Sequence, residues 1–128
     1  MAPLLLIAAL YGLSGVALDA LGAHALPAAA EPLRDAFASA VRHQLVHGVA
    51  LIGIALLAAR APAARLPRLA GAAIALGVLL FSGSIHLHAL LSIGPIPFAA
   101  PAGGILLMAG WALLALYALS CLRKSGPG

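Results

Sequence analysis

The feature that most constrains this chain is the length of its nearly uncharged runs. Four apolar stretches, at about 3–25, 32–59, 66–92 and 98–122, take up almost all of its 128 residues. A helix needs roughly 20 apolar residues to cross the hydrocarbon core of a bilayer. Backbone amides in lipid have no water to bond, so such segments satisfy themselves as helices. The sequence therefore predicts an all-α polytopic membrane protein, a single domain built as an antiparallel bundle of four transmembrane helices. With 64% hydrophobic and 8% charged residues, the chain has no length left for a soluble catalytic domain or a nucleotide-binding fold.

Prolines mark where the helices begin. Pro32, Pro67 and Pro101 each suit a first helical turn, where a missing N–H costs nothing. The second segment opens amphipathic, with Leu33, Phe37, Val41 and Leu45 at helical spacing and Arg34, Asp35, Ser39 and Arg42 on other faces. Gly94-Pro95-Ile96-Pro97 is a tight breaker that makes the last two helices antiparallel neighbours. Small residues Ala23–Ala25 and 27–30 follow the first run in the manner of a signal-peptide cleavage zone. No Lys or Arg precedes that run, however, and Asp19 interrupts it, so it reads as a retained helix.

The net charge of +4 places no nucleic acid among the partners, because the basic residues sit at helix ends. Arg60, Arg65 and Arg68 flank the second loop, and Arg123 and Lys124 follow the last helix. The first loop region holds Arg34 and Arg42 with Glu31 and Asp35. The positive-inside rule then puts both termini in the cytoplasm, and the chain is read as a multi-pass protein of the inner (plasma) membrane. The lone cysteine, Cys121, excludes an internal disulfide. Partners are the bilayer itself and a further copy of the chain or another membrane protein.

This threading carries all five histidines, His24, His43, His47, His86 and His88, toward the outer side, together with Asp19. At 1.5 Å per residue, Asp19 and His86 both lie roughly 9 Å below the outer boundary. His47 enters the second span at a comparable depth. His43 and His47 are four apart and share a helix face, as do Ser82 and His86. The candidate layer is therefore Asp19, His24, His43, His47, Ser82 and His86. It is compatible with helix-to-helix polar ties, with a transition metal or haem held by His47, His86 and His24, with a proton or ion path in a small oligomeric transporter, or with a pocket for a quinone or lipid headgroup. No catalytic triad, His-Glu-x-x-His or phosphate-binding loop is present, and no cofactor is required. Glycines supply the packing expectation: Gly83, Gly103 and Gly104 are expected to let the third and fourth helices approach closely, while Trp111 reads as a packing residue.

Several motifs carry a family resemblance. Gly22-Ala23-His24, Gln44 with His47, Leu80-Phe81-Ser82-Gly83-Ser84, Pro101-Ala102-Gly103-Gly104 and Gly110-Trp111 occur in this order. In them the chain resembles the YgdD-like membrane proteins, the family of domain of unknown function 423, which has animal relatives. The resemblance runs from the first helix to the last. It implies a small four-helix integral membrane protein and carries no biochemical activity. Asp19 stands where the pattern has a small residue, His43 and His86 where it has tyrosine, and His88 is peculiar to this chain. A role for those four would be this chain's own.

Overall fold

A computed structural model describes residues 2–26, 31–94 and 98–124. The small-residue zone at 27–30, the Pro95–Pro97 part of the breaker and the tail from 125 lie outside the described residues. Four helices follow in order: α1 (Ala2–Ala25), α2 (Glu31–Arg60), α3 (Arg65–Leu91) and α4 (Ala99–Lys124). Each is long and apolar enough to span a membrane. The all-α, four-helix expectation therefore holds.

Local chemistry explains the helix limits. Glu31 occupies the first turn of α2 and Arg60 its last, each complementing the helix dipole. Ala64, ahead of α3, has extended backbone, and Pro67 follows in the first turn. At the far end of α3, Ser92 takes the left-handed conformation (φ 52°) and stops the helix. The imidazole of His88 pins that turn by donating from Nδ1 to the Ile93 carbonyl (3.1 Å).

The helices pack in chain order. α1 lies on α2, α2 on α3 and α3 on α4, with a light approach of α1 to α3. Among the described residues the backbones of α2 and α4 do not come into close contact, nor do those of α1 and α4. The central helices α2 and α3 are therefore the most buried, and α1 and α4 flank them with their outer sides bare. One apolar cluster joins Ala8, Leu51, Ile54, Ile74, Ala75, Val78 and Leu107; a second, where α1 ends and α2 begins, joins Leu26, Phe37 and Val41.

The α3–α4 seam is made by backbone, and of the three glycines that the sequence suggested only Gly103 lies on it. A Cβ on Gly103 would strike the Phe81 amide nitrogen and lie 2.7 Å from the Gly77 carbonyl oxygen. A Cβ on Gly77 would lie 2.9 Å from Leu107, and one on Gly110 would lie 2.5 Å from Ile74. Gly104 meets nothing within 4 Å, and Gly83 only Leu79 at 3.8 Å. The expectation for Gly83 and Gly104 is thus corrected. Gly104 follows Gly103 by about 100° around the helix, which turns it off the seam.

Candidate functional site: a laced polar layer

The polar side chains of the interior are distributed as ties between helices. Gln44 of α2 reaches α1, donating from Nε2 to the Tyr11 carbonyl (3.0 Å) and to Ser14 Oγ (2.7 Å). Ser14 passes its own proton to the Leu10 carbonyl (2.6 Å). The approach needs Gly15, where a Cβ would come within 2.6 Å of Leu45 and 3.5 Å of Gln44 Nε2. Tyr11 joins α1 to α3 through a hydroxyl bond to the Ala75 carbonyl (2.6 Å). Ser82 joins α3 to α2 by donating to the Ala40 carbonyl (2.8 Å), fully buried.

The fourth tie spans the pair whose backbones stand apart. Trp111 Nε1 on α4 lies 3.1 Å from His47 Nε2 on α2, and His47 Nδ1 lies 2.7 Å from the His43 carbonyl. An indole N–H can only donate and a carbonyl can only accept. His47 is thereby fixed as a neutral imidazole with its proton on Nδ1 and its lone pair on Nε2 engaged. His43 stacks on it, ring centroids 5.9 Å apart and planes within 9°. Its own Nδ1 donates to the Ser39 carbonyl (2.9 Å), and Phe81 packs on its other side at 4.7 Å.

The remaining predicted residues lie elsewhere. His86 is buried at 8% exposure, with its ring 4.9 Å from that of Phe37. Its Nε2 is shut off from solvent and has no hydrogen-bond partner among the described residues. A bare buried nitrogen of this kind costs about 1–3 kcal/mol. His24 and Asp19 are exposed toward the C-terminal end of α1. Asp19, Glu31 and Asp35, the only three acids in the sequence, line one groove of about 370 Å³ together with Arg34. No hydrogen bond or ring contact joins His47 to Asp19, His24 or His86 among the described residues. The structure thus brings His43 and His47 together, places Ser82 and His86 on the α2–α3 face, and leaves Asp19 and His24 outside. No three His, Cys, Asp or Glu side chains among the described residues converge in a way that would hold a metal ion.

Sequence reasoning passed over Tyr11 and Ser14, and took Trp111 for packing alone. A signal existed for two of the partners: Gln44 and Trp111 stand in the motifs that carry the family resemblance.

That resemblance is established by comparison. The family model described as "Protein of unknown function (DUF423)" matches residues 18–104. This chain belongs to the DUF423 family. Among its relatives is the UPF0382 inner membrane protein YgdD of Escherichia coli (strain K12), 33% identical over 122 residues, covering 94% of this chain and 92% of the relative. A UPF0382 membrane protein of Haemophilus influenzae is 34% identical over 112 residues, covering 87% and 89%. One of Staphylococcus haemolyticus is 32% identical over 111 residues, covering 86% and 89%. No solved structure matches the chain. The DUF423 protein described here is accordingly an integral membrane protein with four candidate spans, and the four ties lie on residues within that match and on Tyr11, Ser14 and Trp111 beyond it.

Proposed function

We propose that this DUF423 protein is a structural or binding component of the inner membrane, in which the histidine layer sets helix register and does not carry chemistry. The observation that supports this most is the His47 ring. Both of its nitrogens are consumed inside the protein, by the His43 carbonyl and by Trp111. To bind a metal or haem iron, His47 would have to give up the Trp111 bond. The other three ties likewise end on backbone carbonyls or on Ser14, which leaves few free donors for a reaction. The bare outer sides of α1 and α4 face the bilayer and a further copy of the chain or another membrane protein.

Both termini lie in the cytoplasm in this reading, since five of the seven basic residues fall at the inner ends and all three acids at the outer ones.

A double-mutant cycle tests the register role. His47→Phe, Trp111→Phe and the double variant are unfolded in detergent, and the coupling energy is extracted. Interhelical hydrogen bonds in membranes average about 0.6 kcal/mol and reach about 1.7, so the expected coupling lies in that range. Zero coupling would remove the support that this pair lends to the reading, as would a stoichiometric haem absorbance in the purified protein.

A further inference from the structure

At one height of the bundle, its two flanks expose opposite chemistry. Contacts between helices fix that height. Phe37 of α2 meets the His86 ring of α3, and a Cβ on Gly22 of α1 would lie 2.6 Å from Phe37. Residues 22, 37 and 86 therefore share a level. Around it α2 exposes Arg34, Asp35 and Ala38. At the same level α3 exposes Leu87 and Leu91, and Phe98 stands exposed ahead of α4.

The lipid-facing belts of the two flanks accordingly differ in height. On α2 the exposed residues between Arg42 and Arg60 are Val46, Val49, Ile52, Gly53, Leu56 and Ala59, none of them polar. The two arginines lie about 27 Å apart at 1.5 Å per residue. Asp19 of α1 falls between the Gly22–Phe37 and Gly15–Leu45 contacts, level with Val41 and so beside Arg42 in height. An arginine can stretch its head toward water; the short Asp19 side chain cannot. On α3, by contrast, every exposed residue from Leu69 to Leu91 is apolar. Arg68 and the exposed Ser92, which flank this run, lie about 36 Å apart. α4 carries no charge from Ala99 to Leu122, about 34 Å. A hydrocarbon core of about 30 Å is thicker than the first belt and thinner than the second. Tilting the bundle moves both edges of a belt together and cannot equalise two heights.

We propose that the bilayer surface dips on the α1–α2 flank, at the end that carries Asp19 and Arg42, and stays at full height along α3 and α4. The depth of the dip is the difference between the two belts, about 9 Å. Phospholipid headgroups and their water follow it into the groove between α1 and α2, which Asp19, Arg34 and Asp35 line. Thinning a bilayer costs little per ångström, whereas a carboxylate left in hydrocarbon is expensive. The small core of Leu26, Phe37 and Val41 lies at this level. It has a use there, because burying apolar surface holds helices together in water and not in lipid.

The test places spin labels on single cysteines of the full chain, in a Cys121→Ser background, held in nanodiscs of phosphatidylethanolamine and phosphatidylglycerol. Collisions with oxygen report hydrocarbon, and collisions with a nickel chelate report water. Ala38→Cys and Leu87→Cys are both at exposed positions and stand within about 3 Å of one height, Ala38 being nearer the bilayer centre. A flat surface therefore makes position 87 at least as wet as 38. The dip predicts the inverse: nickel should dominate at 38 and oxygen at 87. Val16→Cys, at an exposed position one turn closer to the centre than Asp19, should report oxygen and mark the floor. Oxygen at both 38 and 87, or nickel at both, would mean a flat surface and overturn the proposal. Nickel at 16 would overturn it too, and so would a label at 38 shielded from both reagents, which places a second copy over the flank. These readouts hold for either orientation of the chain, because a nanodisc exposes both faces.

Discussion

His47 has one proton and one lone pair, and both are used inside the protein. The same economy governs Gln44, whose amide donates twice to α1. That arrangement yields an asymmetric prediction. Ser14→Ala leaves a buried Gln44 N–H without its acceptor and should cost about 1–3 kcal/mol, because an orphaned donor is dearer than an absent one. Adding Gln44→Leu removes the orphan, so the double variant should be more stable than Ser14→Ala alone; thermal unfolding in detergent measures both. A double variant weaker than the single would contradict the geometry of this tie. The sequence made part of the layer legible: His43 and His47 stack because residues four apart share a helix face. Their partner Trp111 lies 64 positions away, and no periodicity within one helix reports which side chain of a distant helix will arrive. Asp19 was misplaced for a related reason. Depth along a helix can be counted from sequence, but azimuth cannot, and Asp19 faces outward beside Glu31 and Asp35.

At the scale of elements, the number and extent of the helices follow from length and composition, and the prolines at 32, 67 and 101 lie in first turns. Which glycine sits on a seam was harder to read, since Gly103 and Gly104 are adjacent and only one can face α3. The structure assigns that role to Gly103. Gly103→Leu should therefore push α4 away from α3 and destabilise the protein by about 3 kcal/mol or more, because the obstructing atoms are backbone and cannot rotate aside. Gly104→Leu, pointing into open space, should shift the thermal midpoint little. Equal midpoints for the two variants would contradict the seam.

For the whole molecule, charge distribution gives a testable orientation. In a Cys121→Ser background, a cysteine at Ser92 should react with an impermeant thiol reagent in intact cells, and one at Arg65 should not. The reverse pattern would invert the protein. The shape also has a bearing on how such a chain is made. Every extensive seam joins helices that are consecutive in sequence, α1 with α2, α2 with α3 and α3 with α4. Each helix emerging from the ribosome thus finds its main neighbour already synthesised, and loop closure stays short at every step. Of the four ties, the Trp111–His47 bond is the one that must wait for α4 to be made. This small indole contact is then the last stitch of assembly, a mark that the fourth helix has arrived in register.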